Sequence, residues 1–478
     1  MRRIDRRILA LARAGNPARA WALFTQQGLG EVHDDPKVLT LKGRLLKDRA
    51  RLAERDGQRD EAREKYASAS EAYRAAFALQ PDSYPLINAA TLALLSDDEG
   101  QARTLASEVL RLIEANPDEG ENAYWREATR AEALILLGDQ IAAEEALRRG
   151  IAKLPRAWED HAATLGQFAV ILARQGEDSY WLDAYRPPTS VHFSGLIGLD
   201  PDDPAMTEDL IAAIEYLRPG FGFGALAAGA DILIAEALVR SGAQLFITLP
   251  AAVERFRSVS VEPFGAHWAD RFDALVAQAE SVDVLAAAIA EEDLPLAKAV
   301  ELATLVSMGE ALRRAQTLHS HVHALTIAVP GEDIRTPIKQ WTRANLPLQT
   351  IAAARVSQPG SEVDPADRRR IAMIVTSSTG DAVTVEDLQS GLATLRACSS
   401  AAKETPTGMM IELVEGDSAT PDQIQRAKTI AQTAPAGAIH TDRQSAMIAT
   451  VIDPSIRIEE FGELPSMRGP VPLWSIAF

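Results

Sequence analysis

The chain has 478 residues, 47% of them apolar and 24% charged, a size of about three globular domains and a composition that excludes long disorder and fibrous classes. Its 49 Lys and Arg against 67 Asp and Glu give a formal charge of −18, which argues against bulk binding to nucleic acid or to an anionic membrane. One cysteine, Cys398, excludes an intrachain disulfide and a cysteine-based zinc site.

The N-terminal stretch is basic, but Arg13 and Asn16 interrupt its apolar run before it reaches the length of a secretory core. No run approaches the ~20 apolar residues that cross a bilayer. The expected compartment is the cytoplasm, with neither nucleic acid nor membrane as partner.

Residues 1–186 read as an all-α helical repeat. Three helix ends carry a proline, Pro81, Pro117 and Pro155, at nearly equal intervals. Gly100 and Gly138 stand at the same offset before Pro117 and Pro155, which reads as helix, tight turn, helix and proline stop. Ala69, Tyr73 and Ala76, and again Ala143, Leu147 and Gly150, supply seams of small residues on which antiparallel helices approach closely. The arrangement resembles tetratricopeptide repeats over residues 5–185, including one longer helix at Pro36–Arg55. The resemblance implies a concave surface for a protein partner, or else a solenoid that packs only on the next domain.

Residues 187–356 change texture at Pro187-Pro188. Strands are expected at 191–195, 221–223, 244–249, 282–286, 324–329 and 348–351, and helices at 207–217, 230–241, 267–279 and 294–318. This alternation predicts an α/β Rossmann-like domain with a parallel sheet. Its most informative stretch runs from Phe221 to Asp231, where Gly222, Gly224 and Gly229 join a strand to a helix. Glycines at such a joint let backbone approach an anion at the helix N-terminus. Asp231 can cap that terminus or accept a ribose hydroxyl, and Ser194-Gly195 closes the first strand beside it. The candidate ligand-binding set is therefore Ser194, Gly195, Gly222, Gly224, Gly229 and Asp231. The alternative is that the glycines serve only tight packing and Asp231 is a plain cap.

The segment 188–355 resembles the SLOG superfamily of Rossmann-like domains, closest in its branch fused to tetratricopeptide repeats and cyclase-like domains. In that branch the first strand ends Ser-Gly-His, where this chain has Ser194-Gly195-Leu196, and a later one ends Trp-Asp-Gly, where it has Val329-Pro330-Gly331. The helix Val306–Ala315 matches the branch. The resemblance implies a nucleotide-derived ligand, and in some relatives N-glycosidic cleavage. For cleavage here Asp231 and Glu236 are the motif-linked carboxylates, placed about 140° apart around one helix. His319, His321 and His323 form an alternating run that offers a metal triad if extended, or ordinary helix-end histidines.

Residues 357–370 read as a polar linker with a solvated basic hinge at Arg368–Arg370. Residues 366–478 predict a small α+β domain, with strands at 371–376, 408–414, 438–440, 456–461 and 471–476 and helices at 385–400 and 420–433. The endings Ala434–His440, Phe461–Pro465 and Gly469–Ile476 resemble the close of class III nucleotide cyclase domains. That family holds two metal ions with two aspartates, but the first strand here runs into Thr376-Ser377-Ser378-Thr379 without a carboxylate. The family's transition-state Asn and Arg fall near Ile424 and Lys428, and Lys lacks the fork of Arg. The resemblance implies a degenerate, non-catalytic cyclase-like module suited to homodimerisation. Cys398 reads as a packing residue.

The combined expectation is a cytoplasmic signalling or sensor protein. Its Rossmann-like domain binds a nucleotide-derived small molecule, and its repeats recruit a protein partner. The alternatives are a nucleotide or NAD N-glycosidic hydrolase and a ligand-free interaction scaffold. No cofactor or metal is assigned beyond that nucleotide-derived ligand.

Overall fold

The computed structural model describes residues 6–13, 16–116, 123–285, 296–331, 336–356, 368–378, 380–401, 405–435, 437–464 and 470–478. Pro117, Thr379, Pro465, Gly469, residues 357–367 of the expected linker and the side chain of Cys398 lie outside them. The chain forms two compact units, Met1–Pro187 and Pro188–Phe478.

Among the described residues the first unit is built of helices: α1 (Arg6–Arg13), α2 (Pro17–Gln26), α3 (Pro36–Arg55), α4 (Arg59–Leu79), α5 (Ser83–Leu95), α6 (Glu99–Ala115), α7 (Ala123–Leu137), α8 (Gln140–Lys153) and α9 (Trp158–Gln175). Side-chain caps fix the starts. Asp35, Asp82, Asp98 and Asp139 each accept an amide hydrogen of their first turn at 2.8–3.1 Å. The repeat is phased by its turns. Gly57, Asp97, Gly138 and Gly176 adopt left-handed φ of 67–86°. The residue after each donates its amide five back, to the carbonyls of Ala53, Ala93, Leu134 and Leu172 at 2.8–3.0 Å, the Schellman closure.

From Gly57 to Gly176 those turns recur at a nearly constant interval, slightly longer than that of the prolines. Asp97, not Gly100, takes the turn position of the second pair; Gly100 lies inside α6. The seams form as expected: Ala69, Tyr73, Ala143 and Leu147 are fully buried. A Cβ on Gly150 would lie 3.2 Å from that of Glu127 in α7.

The second unit carries two six-stranded sheets. The first is built from β1 (Thr189–Gly195), α10 (Pro204–Leu217), β2 (Pro219–Gly224), α11 (Ala230–Arg240), β3 (Gln244–Leu249), α12 (Val253–Ser260), α13 (Ala266–Gln278), β4 (Ser281–Val284), α14 (Leu296–Leu318), β5 (Val322–Ala328), α15 (Thr336–Arg343) and β6 (Leu348–Ala352). Its strands are all parallel, in the order β4-β3-β2-β1-β5-β6. The chain therefore leaves β1 in one direction and returns to its other side at β5, a topological switch point.

The second sheet comprises β7 (Arg369–Ser377), β8 (Val383–Val385), α16 (Leu388–Ala401), β9 (Thr407–Glu415), α17 (Pro421–Thr433), β10 (Ile439–Asp442), α18 (Arg443–Ile452), β11 (Arg457–Leu464) and β12 (Val471–Ala477). It is mixed, with the order β11-β12-β10-β9-β7-β8. The sequence reading missed β8 and α18. From Ser445 to Ile452 every residue of α18 is buried, so no polar face marks a helical period. The expected basic hinge is corrected as well. Arg369 and Arg370 are strand residues, and Arg370 pairs with Glu386 at 2.8 Å and Asp417 at 3.0 Å.

Helical layers alternate with these sheets. The middle one holds α14, buried against β1–β3 on one side and against α18 on the other. Leu302, Val306, Met308, Met373, Ile411, Met447 and Trp474 share one core there, so the two sheets are not packed as separate globules.

Candidate functional site

In an open parallel sheet the ligand crevice lies beyond the strands' carboxyl ends at the switch point, here the ends of β1 and β5. Ser194 pairs in register with Thr326, and Gly195 with Ile327. Residues in register share a face, so the expected set divides between the two faces.

Ser194 and Thr326 lie on the face under α14. On the same face of β1, His192 bonds through Nδ1 to Ser307 Oγ of α14 at 3.1 Å. Burial pulls this imidazole down to about 3, so it is neutral at physiological pH. Gly195 faces α11. A Cβ there would collide with Ala230 and lie 2.9 Å from the Ile327 carbonyl oxygen.

Gly229 caps α11 with φ +114°, and a Cβ on it would meet the Leu196 carbonyl oxygen at 2.6 Å. An antiparallel bridge joins Ile197 to Gly229, and the Ala230 amide donates to that same Leu196 carbonyl at 2.9 Å. These bonds pin the glycine loop over the end of β1. Asp231 is buried, and its Oδ2 accepts the Ala227 amide of its own loop at 3.1 Å.

Ser194, Gly195, Gly229 and Asp231 are thus brought to one edge. Gly222 and Gly224 are not part of that cradle. A Cβ on Gly222 would strike Leu238 of α11 at 2.7 Å, and one on Gly224 would strike the Phe193 carbonyl oxygen at 2.6 Å. Both glycines sit inside β2 and permit close packing. Glu236 is held by Arg271 through two bonds of 2.7 Å, and that guanidinium rests over Trp268. Neither carboxylate linked to the motif stands as a spare general acid or base.

Sequence reasoning missed a polar cluster on the α14 face. Thr248 near the end of β3 donates to Glu310 of α14 at 3.1 Å. Arg443 at the start of α18 reaches Glu310 at 2.7 Å and Asp283 of β4 at 3.1 Å. Burial pushes the Glu310 carboxyl up, opposed by Arg443. These residues come from four elements far apart in the chain, so no local spacing announces them.

The histidine run does not assemble as a triad. His319 closes α14 at left-handed φ +49°, and the Ser320 amide returns to the Ala315 carbonyl at 2.9 Å. Among the described residues no group of three or more His, Cys, Asp or Glu is placed to hold a metal ion. No described helix is long and apolar enough to cross a membrane.

In the first unit, a cleft of about 290 Å³ opens between the turns, lined by Leu94, Glu99, Arg103, Ile135, Gln140 and Gln175 among others. The first helices of successive repeats are also joined by polar contacts. Lys47 reaches Asn88 at 3.4 Å, and Thr91 and Gln167 both reach Glu132, at 2.6 and 3.2 Å.

A family model described as Tetratricopeptide Repeats-Sensor matches residues 3–93. No curated protein matches the chain. Among solved structures, a mutant of the Thermobaculum terrenum O-GlcNAc transferase aligns at 14% identity, over 65% of this chain and 51% of that one. The chain therefore spans about half of that structure's length, and the TM-score of 0.20 carries no argument about fold. The helical pairs at the N-terminus are tetratricopeptide-type repeats, the kind of array that generally serves protein partnering.

Proposed function

We propose that this protein is a sensor in which the parallel-sheet layer binds a nucleotide-derived ligand and the repeats hold a protein partner. The observation that carries the ligand half is the pinned glycine loop. It sets the N-terminus of α11 and the Ser194-Gly195 end of β1 at the switch point between β1 and β5, where a helix dipole favours an anionic group. Ser194 and Thr326 offer hydroxyls on the adjoining face. On this reading the layer is SLOG-like and Asp231 acts by shaping the loop.

The mixed sheet fits a cyclase-like module without catalysis. On that resemblance the metal-binding carboxylate would belong at the end of β7, which supplies only Thr376, Ser377 and Ser378, and the bidentate arginine would fall near Lys428 of α17. A homodimer through this sheet belongs to the same proposal.

The test is mass spectrometry of nucleotides released on denaturing the purified chain, paired with thermal shifts for NAD, ADP-ribose, purine nucleotides and cyclic dinucleotides. A ligand at 100 times its Kd stabilises the fold by about 2.7 kcal/mol. Ser194→Ala and Thr326→Val should lower that shift while leaving the ligand-free melting temperature near its starting value. No released nucleotide and no shift across the panel would leave the scaffold reading in its place.

A further inference from the structure

We propose that the outer edge of β6 is a pairing surface for a second copy of this chain, joined as an antiparallel β6–β6 contact about a two-fold axis at Thr350. The contact lies on the parallel sheet, so it is separate from the mixed-sheet homodimer and goes beyond the ligand and repeat readings. β6 ends its sheet and pairs only with β5. Along that ladder the Pro347 carbonyl accepts from the Ala324 amide at 2.9 Å, and the Ala353 amide donates to the Ala328 carbonyl at 3.1 Å. Successive residues of a strand turn their backbone groups to alternate sides, so Gln349 and Ile351 also serve β5. The N–H and C=O groups of Leu348, Thr350 and Ala352 point outward, and among the described residues they have no partner.

Sheet edges are normally guarded by charge, by a bulge or by brevity, and the other three edges among the described residues are. β4 carries Asp283, which Arg443 holds. β8 spans three residues. β11 carries Glu459, Glu460 and Glu463, shifts register after Glu460, and has its Ile458 carbonyl taken by Arg313. β6 has none of these devices. Its sequence Leu348-Gln349-Thr350-Ile351-Ala352 is uncharged, its register is unbroken, and Thr350 and Ala352 are exposed.

The occupant that fits this edge is the same edge of another copy. The outward groups are centred on one residue. A two-fold axis at Thr350 sets Thr350 opposite itself and Leu348 opposite Ala352, with each pair exchanging two hydrogen bonds, so no outward group is left over. A threonine pair, and a large side chain against a small one, suit such a ladder. Charge points the same way. Two copies of a chain with net charge −18 repel in general, and they meet best at an uncharged segment, where no like charges stand opposite each other. α10 packs on β6 and leaves Ile211 50% and Tyr216 79% exposed, apolar area that an approaching copy can cover.

Sedimentation of the full chain from about 1 to about 100 μM should show concentration-dependent association. Thr350→Lys sets two ammonium groups opposite each other at the axis and should weaken that association by about tenfold or more, with the melting temperature of dilute protein unchanged. Thr350→Cys in a Cys398→Ser background should form an intermolecular disulfide under mild oxidation, because residues that exchange hydrogen bonds stand about 5.5 Å apart at Cα. Gln349→Cys in the same background should not, since two Gln349 residues lie about 8 Å apart in this register. A chain that stays monomeric throughout overturns the proposal. So does an assembly that Thr350→Lys leaves intact and Thr350→Cys does not lock, which would belong to another surface such as the mixed sheet. Equal cross-linking at both positions overturns the antiparallel register. If Thr350→Lys fails to fold, the two cysteine variants decide alone.

Discussion

Gly309 of α14 lies so close to Met447 of α18 that a Cβ there would sit 2.5 Å from the Met447 carbonyl carbon and 2.7 Å from its Cβ. This crossing joins the layer built on the parallel sheet to the layer built on the mixed one. It depends on a missing side chain, and backbone on the far side cannot yield as a flexible side chain would.

Gly309→Ala should therefore destabilise the second unit by about 1–3 kcal/mol through overpacking, although alanine has the better helix propensity. Gly100→Ala in α6 provides the contrast. Its Cβ would meet nothing closer than Asp98 Oδ1 at 3.8 Å, so it should gain up to about 1 kcal/mol. Urea unfolding of both variants checks the signs. Equal gains would mean that the crossing is looser than its geometry.

Much of the fold was legible where a local signal existed. β3 and α3 occupy the residues that periodicity assigned them, because alternation and a capped, amphipathic helix are short-range patterns. What failed was what depends on distant partners. α18 has no polar face because α14, β9 and β12 enclose it. The expected cradle split for a related reason: strand parity sends Gly222 and Gly224 into close packing within the sheet layer while Ser194 faces α14. Parity is visible in a sequence, but which helix covers which face is not. The Glu310–Arg443 pair spans 133 residues and leaves no trace in any window.

The glycine loop makes a second prediction. Asp231→Ala removes the acceptor of the Ala227 amide and should cost about 1–2 kcal/mol in the ligand-free protein. Gly229→Ala should cost more, because φ of +114° and the Leu196 carbonyl both oppose a side chain. Thermal melts without ligand decide the point. If both variants keep their stability and lose only a ligand-induced shift, these residues touch ligand and do not merely hold the loop.

Arg443 and Glu310 should be strongly coupled. The Arg443 side chain is 43% exposed and that of Glu310 only 8%, so Arg443→Ala strands a buried carboxylate. Allowing for the exposed end, the loss should be about 1–3 kcal/mol. In a Glu310→Gln background it should be much smaller, a difference that a double-mutant cycle measures. The pH dependence has a defined sign. Burial raises the Glu310 carboxyl above its ordinary 4.5, so the native state disfavours its charged form, and stability is lost as pH rises through the raised value. Without Arg443 that loss grows. The Arg443→Ala penalty should be full at about pH 7–8 and fade below about pH 4.5. A penalty independent of pH would assign the effect to lost packing of the arginine stem.

Lys47 of α3 is a cation held out of water. Burial draws its ammonium from 10.5 down to about 8, with Arg51 and Arg44 adding to the fall and Asp48 and Glu132 opposing it. A lysine with a lowered folded value carries a charging penalty. That penalty is absent above 10.5, grows as pH falls toward 8 and is complete below it. The shift corresponds to about 3 kcal/mol at most. Lys47→Met keeps the aliphatic stem and removes the charge, so at pH 7 it should be more stable than the parent by about 1–3 kcal/mol. The gap should close as pH approaches 10. Paired urea titrations from pH 7 to 10 read this directly. A variant less stable than the parent at pH 7 would mean that the Asn88 bond and the pull of Asp48 and Glu132 outweigh desolvation.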